Sequence, residues 1–556
     1  MGDLAELPPI VHGHASTWHD GGVALLSAEG EIVALASERV GGRYKHHWNS
    51  GLAYHHLRGI DGYARSFGGE HDYYVDNSLG LEPCDHHLFH AASTFFGSGF
   101  DEAAVLVLDG QGELDGHLAT TSIWHGVGPD LRLVEELNPS SGPFAAESIG
   151  HFYTAVGALA GMRELYAEGK TMALAAYGRP SRLLDLLREF AGTTADGTYR
   201  VAPGFVRAVL ANTLGREFFG WESATPEDQA LWERFVAARG GPPGDARRAV
   251  TRADVDIAYA GQTILEEIVL GLAERARRLT GCTRLCLAGG VALNCVVNGR
   301  VARQAGFDQV FVVPAPGDDG QAIGKVLLEV KRRRLPVDTT MHTAYYGPRY
   351  PAAAVDQALD AARSRLRSSR PGQDALLAEV VSRLERGEVI GWYRGRSELG
   401  PRALGHRSIL ADPRRPHMRD HVNSVVKERE WFRPLAPVVV EDRAGEYFEL
   451  DHPSPFMTFA VPVRPAKRAV IPAVTHVDGT ARVQTVSREQ DEVCHRLLCR
   501  FADRTGVPVL LNTSFNRRDE PLVETPADAV AAFLAMPLDA LVLEDHLVTK
   551  PHPPVR

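Results

Sequence analysis

The chain alternates short apolar runs with longer stretches of helical period. Five short apolar runs predict β-strands, the first two joined as a hairpin, at residues 23–26, 32–36, 103–108, 285–287 and 309–313. Between them, residues 181–250 favour helices with glycine- and proline-rich breaks, and residues 255–279 predict one long amphipathic helix. This alternation predicts an α/β protein.

Glycine and acidic residues follow several of these runs. Residues 109–112, Asp-Gly-Gln-Gly, come directly after one strand and predict a tight turn before a returning strand at 119–124. Gly289 and Gly290 stand between a strand and a helix that runs to about residue 305, and Asp318 and Asp319 follow the last strand. Glycine turns and helix N-termini present backbone amides to anions, so these strand ends predict a phosphate- or nucleotide-binding region.

His86 and His90 are four residues apart in a segment that favours helix. On a helix their rings leave the same face about one turn apart, which is a common way to offer two imidazoles to one metal ion. Asp109 leaves its strand into the glycine turn and is placed to be a third ligand. Structural histidines are the alternative interpretation. No CxxC pair or HExxH motif supports zinc, and mixed ligation suits iron, manganese or zinc about equally.

A change in composition near residue 345 predicts a domain boundary. Residues 331–334 are Lys-Arg-Arg-Arg, and Tyr345-Tyr346-Gly347-Pro348 with Pro351 is typical of a linker. A helix at 375–387 and a strand at 389–393 follow. We therefore expect domains at residues 1–345 and 346–556.

The predicted second domain is rich in cations that stand beside glycines. They fall in four stretches, at residues 395–408, 418–434, 481–485 and 509–516. A nucleic-acid groove or plain surface charge is the alternative, but aromatic residues are few between the cations. This pattern favours a small, closed anion pocket. Near the N-terminus, residues 37–47 are either a solvated loop or a second anion site in which Lys45 meets a phosphate.

Charge and composition narrow the classes of function. The 60 Lys and Arg against 70 Asp and Glu give a net charge of −10, which argues against a protein that mainly coats nucleic acid. We find no apolar run long enough to span a membrane and no basic region leading into an apolar N-terminal stretch. Six cysteines without metal-ligand spacing predict reduced thiols. We expect a cytoplasmic protein with no membrane partner.

Several motifs taken together resemble one family. They are His19-Asp20, Lys45-His46 and residues 86–93, 109–112, 289–294, 400–405, 418–421, 433–434 and 511–516. In this combination the chain resembles the O-carbamoyltransferases, which include the cephalosporin, aminoglycoside, ansamycin and nodulation-factor enzymes. The resemblance implies an actin-like ATPase domain with a metal site at 1–345. It also implies a domain similar to threonylcarbamoyl-adenylate synthase, which forms carbamoyl-adenylate, at 346–556.

The resemblance also implies the reaction. Carbamoyl phosphate and ATP, the latter with Mg²⁺, give carbamoyl-adenylate in the C-terminal domain. The N-terminal domain then transfers the carbamoyl group to a hydroxyl of a small molecule, an antibiotic or other secondary metabolite. Iron(II) or another divalent metal is the implied cofactor there. We expect a homodimer and no nucleic-acid partner.

Roles for individual residues follow from the same resemblance. His19 is a candidate base for the acceptor hydroxyl, and Asp20 would orient it. Lys45 would bind a phosphate. The metal ligands are His86, His90, Asp109 and Asp318, with Asp319 the alternative to Asp318. The nucleotide-binding residues are Gly110, Gln111, Gly289, Gly290 and Asn294. The residues implied to hold carbamoyl phosphate and ATP are Arg402, Lys427, Arg433, Arg482, Asn512 and Ser514. Relatives usually carry an aromatic residue and more basic residues in the segment that corresponds to 39–45. The different sequence here implies either a changed anion site or a different acceptor pocket.

Two other functions compete with this one. The first is a tRNA-modifying threonylcarbamoyl transferase, which would bind RNA strongly and with a steep salt dependence. The second is a non-catalytic, actin-like nucleotide switch. The cation-rich stretch at 395–433 argues against a switch, because a switch needs no second anion pocket.

Overall fold

The computed structural model describes residues 11–16, 20–27, 30–41, 50–60, 73–76, 85–114, 116–142, 144–164, 166–214, 225–246 and 249–551. His19 and Lys45 lie outside the described residues. The chain divides into two compact units. Unit 1 combines Met1–Leu81 with Asp318–Arg556, and unit 2 is Glu82–Gly317.

In the described part of the first segment of unit 1, a four-stranded sheet of order β3-β2-β1-β4 forms together with helix α1. Its elements are β1 Val11–Ser16, β2 Gly21–Leu26, β3 Ile32–Ala36, α1 Ser50–Arg58 and β4 Tyr73–Asp76. The predicted hairpin is confirmed, since β2 and β3 pair antiparallel with Val23 opposite Leu35.

Unit 2 is built on a five-stranded sheet of order β11-β10-β5-β6-β7, in which β10 is parallel to both β5 and β11. Its strands are β5 Glu102–Leu114, β6 His117–Val127, β7 Asp130–Leu137, β8 Ala191–Thr193, β9 Tyr199–Val201, β10 Arg284–Ala288 and β11 Gln309–Val312. Its helices are α2 His86–Ser98, α3 Ile149–Leu159, α4 Glu168–Ala175, α5 Arg182–Arg188, α6 Pro203–Thr213, α7 Pro226–Arg239, α8 Arg252–Thr280 and α9 Cys295–Gln304.

The long helix α8 confirms the amphipathic helix predicted at 255–279. Thr251 and Asp254 close a capping box at its start, and Gly281, in the left-handed conformation, ends it. Its apolar face is buried along most of its length. None of the helices that the structure describes combines the length and the apolar character that crossing a bilayer requires.

The second segment of unit 1 carries an eight-stranded sheet of order β12-β21-β20-β13-β14-β19-β15-β18. Its strands, with the separate pair β16 and β17, are β12 Arg367–Ser369, β13 Ile390–Tyr393, β14 Arg407–Ala411, β15 Ala436–Val440, β16 Ala460–Pro462, β17 Thr480–Arg482, β18 Gln484–Val486, β19 Val509–Ser514, β20 Ala540–Leu543 and β21 His546–Thr549. Its helices are α10 Gln321–Arg332, α11 Ala352–Ala361, α12 Gln373–Arg386, α13 Met418–His421, α14 Ala444–Tyr447, α15 Pro465–Arg468, α16 Glu492–Thr505 and α17 Pro526–Ala535. Together the two units confirm the predicted mixed α/β class.

The two segments of unit 1 join because α10 packs directly on β1. A side chain at Gly13 in β1 would overlap the Ala322 carbonyl of α10. Lys325, buried in α10, donates a hydrogen bond to the carbonyl oxygen of His14. The contacts therefore group residues after 317 with the N-terminal sheet. A functional division near residue 345, as the sequence suggested, stays a prediction.

Two local predictions are wrong. The expected turn at 109–112 does not form, because β5 continues to Leu114 through a register shift between Leu108 and Gly112. The glycines there permit a bulge and close packing rather than a reversal. The helical interpretation of 181–250 fails at β8 and β9, a short antiparallel hairpin. Gly197, at φ 82°, turns the chain between them.

A buried carboxylate organises the loop between β13 and β14. The Glu398 Oε1 atom accepts three backbone hydrogen bonds, from the amides of Leu404, His406 and Arg407, at 2.8 to 2.9 Å. Arg39, also buried, donates to the carbonyl oxygens of Glu398 and Gly400 at 3.0 Å. Burial alone would raise the pKa of Glu398, but His406, Arg407, Arg39 and the backbone donor hold it below its ordinary value. The Gly-Pro-Arg loop at 400–402 is thus fixed at its two ends.

We expect Glu398→Gln to destabilise the protein by about 1.5–3 kcal/mol, the usual value of hydrogen bonds to a charged group. The pKa of Glu398 is lower in the folded protein than its ordinary value of 4.5. The stability that the carboxylate adds is therefore complete above pH 4.5 and is lost as the pH falls through the lowered pKa. Urea denaturation of both proteins across this pH range measures the difference. Glu379→Gln, at a half-exposed carboxylate on α12, is the matched control and should change stability by less than about 0.5 kcal/mol. A Glu398→Gln protein as stable as wild type at pH 7 would contradict the assignment.

Candidate functional site

Helix α2 presents the two histidines that the sequence singled out. It runs His86–Ser98 and is almost wholly buried, ending at Gly99 in the left-handed conformation. Asp85 occupies the N-cap position, although its side chain makes no capping hydrogen bond. One helical turn separates His86 from His90, and their ring centroids lie 4.8 Å apart. The predicted helix and the shared face are confirmed.

Three ligand atoms converge at this helix. The Nε2 atom of His86 lies 2.9 Å from Oδ2 of Asp109 and 3.2 Å from Nε2 of His90. His90 Nε2 is 3.6 Å from the same carboxylate oxygen. Ligand atoms around one ion, bonded at about 2.1 Å in tetrahedral or octahedral geometry, stand roughly 3–3.5 Å apart. The spacing therefore fits a shared divalent ion.

Asp318 completes the group. It is peptide-bonded to Gly317, the last residue of unit 2, and is itself buried. The possible ligand atoms of His86, His90, Asp109 and Asp318 all lie within 4.8 Å of one another. Gln321 donates a hydrogen bond to Asp318 Oδ1 at 3.1 Å. Asp318, rather than the neighbouring Asp319, contributes to this group among the described residues. Two imidazoles and two carboxylates suit iron, manganese or zinc.

The neighbouring backbone holds Asp109 in position. Its Oδ1 atom accepts a hydrogen bond from the amide of Gly290 at 2.9 Å, which leaves Oδ2 directed at the histidines. The Asp109 carbonyl accepts from the Ser148 hydroxyl at 2.9 Å, and Ser148 also caps α3. Outer partners of this kind fix the orientation of metal ligands. Ser148 was not predicted, and its only signal in the sequence is its place before a helix.

His87 belongs to the packing around the site. Its Nδ1 lies 2.7 Å from the Ser122 hydroxyl, which also accepts from the Trp124 indole. Burial, followed by the neighbouring His86, lowers the pKa of His87 to about 3. His87 is therefore neutral at physiological pH, and its Nδ1 faces the Ser122 hydroxyl.

Glycines make room for the ligands. A Cβ at Gly112 would overlap the ring of His86. A Cβ at Gly289, which has φ 87°, would overlap the carbonyl of Leu108, so this position requires glycine for two reasons. A Cβ at Gly290 would sit 3.0 Å from Asp109 Oδ1. Close approach of backbone to the ligands explains the Gly-rich motifs at least as well as nucleotide contact does.

The other predicted nucleotide-binding residues have structural partners. Asn294 caps α9 by accepting from the amide of Val297 at 3.1 Å, and it pairs with Gln262 through its amide. Gln111 accepts from the amide of Ala145 at 3.0 Å. Gly110 packs against the ring of His151, which would lie 3.2 Å from a Cβ. Their contact with a nucleotide stays a prediction.

Unit 1 contains a cluster of guanidinium groups. Burial, followed by the charges of Arg433 and Arg482, lowers the pKa of Arg429 well below its ordinary value. Arg429 donates to Asn423 Oδ1 at 2.9 Å, and Asn423 Nδ2 donates to the carbonyl of Arg433 at 2.9 Å. The Nε atom of Arg482 is buried with no hydrogen-bond partner among the described residues. Glu430 offsets part of this charge, since its Oε2 lies 3.7 Å from Nη1 of Arg433, and the remaining positive charge favours an anion.

Lys427 lies at the end of β19. Its ammonium donates to the carbonyls of Ser514 and Asn516 at 2.8 and 2.6 Å, and the Ser514 hydroxyl donates to Asn516 Oδ1 at 2.7 Å. A π-helical turn, Val422–Val426, directly precedes Lys427, and Glu428 has a positive φ of 46°. Irregular turns of this kind often mark functional sites.

The remaining predicted residues of unit 1 that the structure describes are Asn512, Arg402 and Asp20. Asn512 on β19 donates to the carbonyl of Ala403 at 3.1 Å and to Gln484 at 2.8 Å, and Arg402 is half-buried in the adjoining loop. Asp20 precedes β2. The pKa of Asp319 is raised to about 7. Burial is the largest cause, and the negative charge of Asp20 is the second.

The sequence reasoning missed Arg429, Asn423 and Arg39. Arg429 is two residues from Lys427, so its place in a cation-rich stretch was the available signal. Arg39 bonds to a residue 359 positions away, and no local pattern reveals such a contact.

Comparison with known families agrees with these observations. The profile described as Carbamoyltransferase N-terminus matches residues 75–327, and that described as Carbamoyltransferase C-terminus matches 381–550. The chain belongs to the carbamoyltransferase family and is a carbamoyltransferase. The resemblance inferred from the motifs is thereby confirmed.

Individual relatives are similar over most of the chain. Nodulation protein NolO of Bradyrhizobium diazoefficiens is 38% identical over 84% of this chain and 79% of its own length. The protein sll1178 of Synechocystis is 37% identical over 85% of this chain and 77% of its own length. The structure titled "Crystal structure of T.kodakarensis HypF" aligns at TM-score 0.32 and 18% identity, over 59% of this chain and 48% of that chain. A TM-score this low does not support any conclusion about the function of this chain.

We expect His90→Ala to lower divalent-metal affinity at least about tenfold, because it removes one of the converging ligand atoms. Metal content after anaerobic loading with Fe²⁺ and gel filtration measures this. His117→Ala is the matched control, since His117 pairs with Glu136 on the neighbouring strands of the same sheet. Equal metal content in His90→Ala and wild type would refute the metal centre.

Gly112→Ala tests the site without removing a ligand. The new methyl group would overlap the ring of His86 and displace it, so we expect metal affinity to fall at least about tenfold. Gly192→Ala, where a Cβ meets nothing within 4 Å, should bind metal as wild type does. Unchanged affinity in Gly112→Ala would mean that the ring of His86 is not held in place for a metal.

Proposed function

We propose that this carbamoyltransferase is an ATP-dependent O-carbamoyltransferase that works in two half-reactions. In the first, carbamoyl phosphate, water and ATP give carbamoyl-adenylate, pyrophosphate and phosphate. In the second, an acceptor hydroxyl attacks the carbamoyl carbon, and AMP leaves with the release of one proton. The observation that carries the proposal is the cluster of Arg429, Arg433 and Arg482, in which Asn423 joins Arg429 to the Arg433 carbonyl. Glu430 offsets only part of its charge, so the cluster favours a polyanionic ligand.

The arginine cluster supports a site for the first half-reaction. Attack on the α-phosphorus of ATP and loss of pyrophosphate depend mainly on positioning and charge neutralisation. Arg482 offers a buried Nε atom that has no hydrogen-bond partner among the described residues. Lys427 and Ser514 meet at the end of β19, and Arg402 and Asn512 lie on elements joined by hydrogen bonds. Mg²⁺ would accompany ATP.

The histidine–carboxylate group supports a site for the second half-reaction. A divalent ion held by His86, His90, Asp109 and Asp318 would polarise the carbamoyl carbonyl and offset charge on the leaving AMP. We propose iron(II), with another divalent ion as the alternative. The glycine backbone at 289–290 would lie against the adenylate. His19, oriented by Asp20, would take the proton of the hydroxyl, and Lys45 would meet the phosphate.

We further propose that the acceptor is a small hydroxylated secondary metabolite, such as an antibiotic or its precursor.

The five described cysteines are free thiols, which is consistent with a reducing cytoplasm. A homodimer stays our expectation for the assembly.

The proposal predicts that the two half-reactions respond to different substitutions. On the metal-loaded protein, pyrophosphate release from ATP should require carbamoyl phosphate. Arg482→Ala should lower it at least about 100-fold, because a guanidinium facing the triphosphate is lost. His90→Ala should retain it within about threefold while losing transfer to an acceptor alcohol. Pyrophosphate assays and mass spectrometry of carbamoyl-adenylate measure both steps.

Arg488→Ala, at a guanidinium that is 70% exposed and six residues from Arg482, is the matched control and should behave as wild type. Pyrophosphate release that is indifferent to carbamoyl phosphate would refute the first half-reaction. Loss of pyrophosphate release in His90→Ala would refute the division of labour.

A further inference from the structure

A second group of possible metal ligands lies in unit 2, at the first residue of β5 and away from Asp109 in the middle of that strand. Glu102 is the first residue of β5, His125 is near the end of β6, and Cys282 lies two residues before β10. Their ligand atoms all fall within 4.8 Å of one another. Seven residues of strand separate Glu102 from Asp109, or about 23 Å at the usual rise, so the two groups are distinct.

The topology of the sheet brings these three residues together. Strand β5 is hydrogen-bonded to β6 on one side and β10 on the other. His125 pairs with Ala104, which places its ring on the same face as Glu102, and the carboxylate Oε1 lies 2.8 Å from the imidazole Nε2. Cys282 follows Gly281, whose left-handed conformation ends α8 and turns the chain toward β10.

We propose that Glu102, His125 and Cys282 form a second divalent-metal site, suited to Zn²⁺ and distinct from the histidine–carboxylate centre. A thiolate, an imidazole and a carboxylate are the donor types that zinc prefers, and water would complete a tetrahedral shell. The thiolate separates this site from the first group, which offers only nitrogen and oxygen donors.

The surroundings of each ligand agree with this role. Cys282 is 5% exposed, whereas Glu102 is exposed and His125 is partly so, which gives an ion a path from solvent. Binding forms bonds from zinc to Sγ, the imidazole nitrogen and the carboxylate oxygen, and the thiol proton leaves to water. The bound ion would join the adjacent ends of β5 and β6 to the α8–β10 connection.

Cobalt(II) is the probe that distinguishes the two centres. We expect the metal-stripped, reduced protein carrying His86→Ala to bind one Co²⁺ with the near-ultraviolet charge-transfer absorption of a cobalt–thiolate bond. Zn²⁺ should bleach this absorption by displacing cobalt. Cys282→Ser in that background should abolish the band. Glu102→Gln should weaken Co²⁺ binding about 10- to 100-fold, and it should not affect folding because the side chain is exposed.

Three other thiols provide matched controls. Cys286→Ser alters a fully buried thiol in β10, Cys499→Ser alters a thiol 3.7 Å from His495, and Cys84→Ser alters one outside the described residues. Each should keep the band. A band that survives Cys282→Ser, or that disappears in Cys499→Ser or Cys84→Ser, would overturn the proposal, as would wild-type affinity in Glu102→Gln.

Thermal unfolding gives an independent reading. Zn²⁺ should raise the melting temperature of the His86→Ala protein and leave that of His86→Ala/Cys282→Ser unchanged. Similar melting temperatures of the two variants without metal would show that Cys282→Ser folds. An equal rise in both would mean that zinc binds elsewhere and would refute the site.

Discussion

The Asp109 carboxylate is the constraint on which the arrangement of unit 2 depends. It is 7% exposed, and a buried carboxylate is costly unless donors or a cation surround it. Its two oxygens divide that task, since one accepts from the Gly290 amide and the other faces His86 and His90. One side chain of strand β5 therefore joins the double-glycine turn to helix α2. A change in any of the three elements reaches the ligand geometry through it.

The two units present opposite electrostatic surroundings to a ligand. In unit 2, two imidazoles and the Asp109 carboxylate suit a cation, whereas in unit 1 the guanidiniums of Arg429, Arg433 and Arg482 suit an anion. Activating a carbamoyl group at the expense of ATP requires charge neutralisation around phosphates. Transferring that group to an alcohol requires an electrophile to polarise its carbonyl. The division of charge corresponds to the division of chemistry that we propose for this carbamoyltransferase.

How much the sequence could predict depended on the distance in sequence over which each contact forms. The shared face of His86 and His90 follows from helical period alone, and it was predicted correctly. The turn expected at 109–112 was wrong, because glycines in a strand were interpreted as a reversal although they make room for the ring of His86. Arg39 contacts Glu398 across 359 positions. The charge of Arg482 lowers the pKa of Arg429 across 53 positions, and no local pattern in the sequence indicates this interaction or the Arg39 contact.

Spacing rules for metal sites fail for the same reason at the second ligand group. Cys282 is not part of a CxxC pair, and Glu102, His125 and Cys282 come from segments that only the sheet brings together. Their donor types also decide how two metals would share one chain. A thiolate holds zinc more firmly than iron(II), whereas two imidazoles with two carboxylates discriminate less between these ions. A zinc-preferring group at the start of β5 would therefore bind zinc first, and less zinc would compete with iron(II) for the histidine–carboxylate centre at Asp109.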